Sequence, residues 1–177
     1  GEDTNTIKYK KVDNSVELIE NIKNIQYITG GEEFCILKTL DEKYISFGNN
    51  GKGQLGKGFR SIYCAPSMYY LDFPPNIIDI KCGRRFVLLL TKEGYVYSFG
   101  DNWCGQLGLG HLTQVFIPTL ITNIPEIKRI ECGYHDSLLI DVNNRLWVFG
   151  CNRENRWEIN NNTDITKQQY IKNPTLF

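Results

Sequence analysis

Three segments of the form aromatic-Gly-x-Asn punctuate this chain at nearly even intervals: Phe47-Gly48-Asn49-Asn50, Phe99-Gly100-Asp101-Asn102 and Phe149-Gly150-Cys151-Asn152. Their glycines are 52 and 50 residues apart, and an upstream glycine keeps the same intervals at Gly31, Gly83 and Gly133. Two landmarks in register over three units define an internal repeat. A repeat of this length is one supersecondary unit that buries its apolar face only by stacking on its neighbours.

Within each unit the pattern is strand, hairpin, strand. Ile77 to Cys82 alternates apolar and polar after its first residue, as a half-buried strand does. Gly83-Arg84-Arg85 turns the chain, and Phe86 to Thr91 is apolar almost throughout, as expected of a strand covered on both faces. Lys92-Glu93-Gly94 is a tight connection in which glycine supplies a positive φ. Tyr95 to Phe99 returns in aromatic and β-branched residues.

The first unit repeats the scheme with Ile25 to Thr29, Phe34 to Thr39 and Lys43 to Phe47. The third does so with Ile127 to Cys132, Ser137 to Asp141 and Arg145 to Phe149. A short fourth strand is expected after a long loop, most clearly at Thr119 to Thr122 before Pro125. Four antiparallel strands per unit give an all-β class, the blades of a β-propeller. The expected division is 25–74, 75–125 and 126–177 for three blades. Residues 7–24 are expected to hold the last strand of a preceding blade, because Glu17 to Ile22 resembles Leu120 to Ile124. Asn173 to Phe177 sits where a following unit is expected to begin.

The loops after the first two aromatic-glycine pairs carry a second motif at identical offsets. Gly53-Gln54-Leu55-Gly56 and Gly105-Gln106-Leu107-Gly108 each run on to a further glycine, Gly58 or Gly110, and then to Pro66 or Pro118. The string from Phe99 to Gly110 resembles the RCC1 repeat, named for the regulator of chromosome condensation, and the likeness extends from about Glu17 to Pro174. The family signature falls on Gly48, Asn50, Gly53, Gln54, Leu55 and Gly56, on Gly100, Asn102, Gly105, Gln106, Leu107 and Gly108, and on Gly150 and Asn152. These positions read as structural. Glycines let the loop fold closely over the blade end, Asn and Gln satisfy loop amides, and Leu55 or Leu107 plugs the gap between blades. The loop lacks the Lys-Ser/Thr of a phosphate cradle and precedes no helix.

The chain departs from the family in two places. Where the family usually has a histidine, three residues after the upstream glycine, it carries Phe34, Phe86 and Asp136. In the third unit the GQLG slot reads Asn155-Arg156-Trp157-Glu158, followed by Asn160-Asn161-Asn162, and this loop is expected to be irregular.

Charge excludes more than it suggests. Twenty basic residues balance twenty acidic ones, without the basic excess that phosphate binding calls for, so nucleic acid is not an expected partner. No apolar run approaches the ~20 residues of a membrane span. The polar segment Gly1 to Thr6 is not the start of a signal peptide, and Gly1 in place of Met suggests a piece of a longer chain. Six cysteines, at 35, 64, 82, 104, 132 and 151, show no CxxC and no metal-ligand spacing with His111 or His135. They read as small apolar fillers of a protein kept in a reducing, intracellular compartment. No cofactor is expected.

A catalytic reading finds little. His135 lies beside Asp136 and near Ser137, but a loop histidine is more often a contact residue than a base. Glu32-Glu33 reads as a pair of solvated loop charges rather than a glycosidase pair. The same turn holds Glu32-Glu33, Arg84-Arg85 and Tyr134-His135 in successive units. Together with Asp101 and Trp103 these residues are candidates for a partner-binding face, against the plainer reading of hydrophilic turns and, for Trp103, of core packing.

The resemblance implies one of two functions, a protein-interaction module or a nucleotide exchange factor for a Ran-like small GTPase. Three blades are fewer than the four or so that the smallest rings need. The expectation is therefore a fragment, or a chain that pairs with another copy through its open edges.

Overall fold

A computed structural model describes residues 6–8, 22–61, 67–153 and 170–177. These residues form thirteen strands in three antiparallel sheets. The first blade comprises β2 (Ile25–Gly31), β3 (Phe34–Thr39), β4 (Tyr44–Gly48) and β5 (Ser67–Leu71). The second has β6 (Ile77–Cys82), β7 (Phe86–Thr91), β8 (Val96–Gly100) and β9 (Val115–Leu120). The third has β10 (Ile127–Cys132), β11 (Asp136–Asp141), β12 (Leu146–Cys151) and β13 (Tyr170–Leu176). Each is a four-stranded meander in sequence order, and β1 (Thr6–Lys8) adds a fifth strand to the outer edge of the first by pairing with β5.

The core lies between the blades. In the middle blade every residue of β7 is buried, and its side chains divide by parity. Val87 and Leu89 pack with Phe34 and Ile36 of the first blade, whereas Phe86, Leu88 and Leu90 pack with Ile130, Leu139 and Val148 of the third. The innermost strand β2, with Ile25, Tyr27 and Ile28 exposed, is the edge strand of the first sheet, and its Tyr27 hydroxyl donates to Ile80 O of the second blade at 2.9 Å. Burial pushes the Cys82 thiol up to about 12 and the Cys132 thiol well above its usual range, so both stay protonated and inert.

Two expectations about strands need correction. The fourth strand of the second blade is Val115–Leu120 rather than Thr119 to Thr122, and it runs through Pro118. Asn173 to Phe177 does not open a new unit: Asn173 to Leu176 closes the third blade within β13, where Trp147 pairs with Leu176 and Val148 with Thr175. Both prolines sit on outermost strands, where a missing N–H removes no ladder bond on the open side. At the other end, Ile7 and Lys8 pair with Met68 and Ser67 of the first blade. Residues 9–21, including most of the stretch from Glu17 to Ile22, lie outside the described residues, as does the third-unit segment from Asn155 to Asn162.

The hairpin between the second and third strands is pinned by one side chain per blade. Thr39, Thr91 and Asp141 occupy the same slot, and each accepts a bond from the backbone N–H four residues on. Asp141 also takes Nε of Arg145 at 2.7 Å, Nε1 of Trp147 at 3.0 Å and the N–H of Asn143 at 2.9 Å. Burial pushes its carboxyl upward, but these donors outweigh burial and hold it at about 2.

Two predictions follow from packing and charge. Leu107 is fully buried between the second and third blades, so Leu107→Ala should lower unfolding free energy by about 3 kcal/mol in a urea titration, without a change of slope. For Asp141, the folded value of about 2 lies below the unfolded value of about 3.9. Its ionised form therefore stabilises the fold above pH ~4, and that contribution fades as pH falls through about 2. The stability gap between wild type and Asp141→Asn should narrow over that interval in melts taken at stepped pH.

Candidate interaction face

Each blade presents two connections at the same end of its sheet, the turn between its first and second strands and the long loop between its third and fourth. The signature residues build the loop. Asn102 accepts the Leu107 N–H at Oδ1 (3.0 Å) and donates from Nδ2 to the carbonyls of His111 (2.9 Å) and Thr113 (3.0 Å). Asn50 does the same for Leu55 N–H (3.1 Å) and Phe59 O (2.9 Å). Gln54 and Gln106 accept the N–H groups of Lys52 and Cys104, each at 2.9 Å. Ser46 and Ser98 donate to the carbonyls of Leu55 and Leu107.

The signature glycine ties this loop to the turn. Gly48, Gly100 and Gly150 have φ of 110°, 108° and 111°. A Cβ there would stand 2.3–2.5 Å from the carbonyl oxygen of Glu33, Arg85 or His135. With no side chain in the way, the following N–H of Asn49, Asp101 or Cys151 donates to that carbonyl at 2.7, 2.8 and 2.9 Å.

The turns also join one another. Glu32 N–H donates to Arg84 O at 2.7 Å, and Arg84 N–H donates to Tyr134 O at 3.2 Å. Arg84 grips the Glu32 carboxylate with Nε (2.6 Å) and Nη2 (3.1 Å), while Arg85 Nε lies 2.8 Å from the same carboxylate. The Arg84 bond holds the Glu32 carboxyl below its usual range. The Arg84 guanidinium lies 4.8 Å over the Tyr134 ring, whose edge meets His135 at 4.7 Å. His135 meets Trp103 at 5.0 Å, and Trp103 meets Tyr170 at 5.8 Å. Arg153 caps this end, 5.0 Å over Trp103 and 5.8 Å over Tyr170. One row of charged and aromatic side chains thus crosses all three blades.

Of the eight candidate contact residues, seven lie along this row or at its edge. Tyr134 is 58% exposed, whereas Trp103 and His135 are half-buried. Glu33 accepts a bond from Asn49 Nδ2 at 2.9 Å. Asp101 is the exception. At 4% exposure it lies beneath the surface, with Lys52 Nζ 3.9 Å away, and offers no contact area. The reading of Glu32-Glu33 as solvated charges is likewise corrected for Glu32, which is clamped by the next blade's arginines. The positions expected to carry a family histidine hold buried Phe34 and Phe86, and Asp136, whose carboxylate accepts the His135 N–H at 3.2 Å. Among the described residues no group of His, Cys, Asp and Glu is placed to hold a metal, and no helix is long and apolar enough to cross a membrane.

Two models of the regulator of chromosome condensation repeat match, at residues 77–106 and 93–140. The chain belongs to the RCC1-repeat family. A Danio rerio "Protein RCC2 homolog" is 36% identical over 118 residues, which is 66% of this chain and 24% of that protein. The human X-linked retinitis pigmentosa GTPase regulator is 29% identical over 148 residues, 82% of this chain and 14% of its own length. The chain therefore spans about a quarter or less of these RCC1-repeat relatives. Among solved structures, Prp20p of Saccharomyces cerevisiae superposes with a TM-score of 0.76 at 23% identity, covering 88% of this chain and 39% of that one. That likeness shows the RCC1 propeller fold.

Arg153, Tyr170 and Lys52 escaped sequence reading. A signal for Arg153 existed, since Gly51, Trp103 and Arg153 each follow the signature asparagine of their RCC1 repeat. Asn102 is fully buried and makes three side-chain bonds to its loop, so Asn102→Ala should cost about 2–3 kcal/mol. Amide exchange at Leu107 should rise more than at the strand amides of β7.

Proposed function

We propose that this chain is a non-catalytic protein-interaction module that engages a partner protein through the face formed by its Glu32-Glu33, Arg84-Arg85 and Tyr134-His135 turns. One observation carries the reading. In all three blades the N–H after the signature glycine bonds the same turn carbonyl, while the residues on top change from acidic to basic to aromatic and remain joined turn to turn. A face that is structurally fixed and chemically varied suits recognition of a partner's surface. Trp103, Tyr134, Arg84 and Arg85 are of the types that dominate binding energy at protein interfaces.

The kind of partner is suggested by relatives. One is named a GTPase regulator, and Prp20p is described by its binding properties to Gsp1p and histones. A small GTPase is thus a reasonable partner class for this chain, and nucleotide exchange is the second reading. An intracellular setting agrees with five cysteines that, among the described residues, form no disulfide.

The test uses three variants in capture from cell extract and in fluorescent-nucleotide release from a panel of small GTPases. Tyr134→Ala and the Arg84→Glu/Arg85→Glu pair should lose the captured partner, with circular dichroism unchanged for Tyr134→Ala. Lys92→Glu, at the opposite end of the second blade, should retain it. Capture insensitive to the turn variants would remove the proposed face. Accelerated nucleotide release by the wild-type chain would replace the module reading with exchange.

A further inference from the structure

We propose that Arg153, held by Trp103 and Tyr170, is a carboxylate-binding anchor for an acidic segment of a partner protein. This rests on the interaction-module reading and extends it to a defined site and chemistry.

The anchor arises from the repeat. Gly51, Trp103 and Arg153 occupy one slot in successive blades, immediately after asparagines that are 3%, 0% and 2% exposed. Because the slot is fixed by the buried asparagine, side chains projecting from it in adjacent blades stand side by side. Arg153 lies 5.0 Å over the Trp103 ring and 5.8 Å over Tyr170, and its Nη2 donates to the Tyr170 hydroxyl at 3.1 Å. Trp103 is in turn braced edge-on by His135 and Tyr170. Stacking and one hydrogen bond orient the guanidinium and leave most of its N–H donors uncommitted.

Arg84, Arg85, Arg129 and Arg145 each meet a carboxylate within 4 Å, whereas Arg153, among the described residues, meets none. Arg60 also lacks a carboxylate there, but no aromatic ring holds it. Arg153 is exposed, so an incoming anion reaches it without displacing protein. An arginine already ordered by aromatic stacking loses little further freedom on forming a bidentate carboxylate pair. The same row carries Glu32 and Glu33, and the whole chain is neutral. The chain thus lacks the basic excess that a nucleic-acid backbone calls for, whereas a short acidic protein segment needs one matched cation.

The experiment titrates the whole chain with blocked tetra-glutamate, tetra-glutamine and tetra-lysine peptides, following the Trp103 indole N–H and Arg153 Nε–H signals by NMR. Tetra-glutamate should shift both signals and tetra-glutamine neither. Arg153→Lys, which keeps the charge but not the fork, should weaken binding about tenfold, and Arg153→Ala should abolish it. Equal shifts from tetra-glutamine, undiminished binding by Arg153→Lys, or silence at millimolar tetra-glutamate would each overturn the anchor. So would tetra-lysine shifting the same signals, which would make the aromatic pair a cation cage, or a single-stranded oligonucleotide binding there more tightly than tetra-glutamate. If tetra-glutamate fails while Tyr134→Ala still abolishes partner capture, only the anchor falls. If the peptide binds and no partner is ever captured, the module reading falls and the anchor stands.

Discussion

The buried asparagine carboxamide after each aromatic-glycine pair is the contact on which the remaining structure depends. Asn102 spans its loop from Leu107 to Thr113, so a segment with no ladder partner acquires a fixed path. That path delivers Leu107 into the seam between blades, where it joins Phe86, Leu139 and Phe149. It also sets Gly108 against the Phe149 ring, just as Gly56 lies against Phe99. The aromatic residue of one motif is thereby packed on the last glycine of the preceding motif. The loop then bonds to the next blade's outer strand, Gly58 N–H to Phe116 O and Gly110 N–H to Lys172 O. The three sheets share no ladder with one another, so these loop and turn bonds and the apolar seam are what hold one blade on the next.

Much of this was legible because the repeat enforces register. The strands β7, β8, β11 and β12 fall within a residue or two of where alternation and turn residues put them, and the all-apolar β7 was readable as a strand covered on both sides. Two features were not. Each innermost strand carries a bulge near its start, between Ile25 and Tyr27, Ile77 and Asp79, and Ile127 and Arg129. The unpaired residue explains why alternation in Ile77 to Cys82 begins only after the first position. The outer strands were misplaced, and each runs through a proline, Pro118 or Pro174. The chance to see otherwise lay in comparing Ile117-Pro118-Thr119-Leu120 with Asn173-Pro174-Thr175-Leu176, whose shared triplet marks the same edge strand twice.

The candidate face was legible as a set of positions but not as a set of contacts. Comparing turns in register isolated Glu32, Arg84 and Tyr134, yet each was read as a separate turn. In a propeller, residues one repeat apart in sequence are neighbours in space. Glu32 and Arg84, 52 residues apart, form the shortest charge pair of the face. Trp103 and Arg153, 50 apart, form one of its cation–π contacts. Asp101 was misjudged for a different reason: its N–H is committed to Arg85 O at the strand end, and that bond draws the residue under the turn.

Slot-to-slot adjacency also decides how such a surface varies. A substitution in one turn is felt one repeat away, through a charge pair or a ring contact, while the asparagine and glycine bonds beneath are untouched. Arg84 shows this directly, since it bonds backward to Glu32 and stacks forward on Tyr134. The series Glu, Arg, Tyr in one slot and Gly, Trp, Arg in another therefore act as two coupled rows rather than six independent side chains. Each row ends differently. The turn row gathers Arg84 and Arg85 on the one Glu32 carboxylate, and the loop row ends in a stacked guanidinium that meets no carboxylate among the described residues. On the proposed partner face, a charge already paired within the row has less to gain from a partner's charge than one left without an ion pair among the described residues.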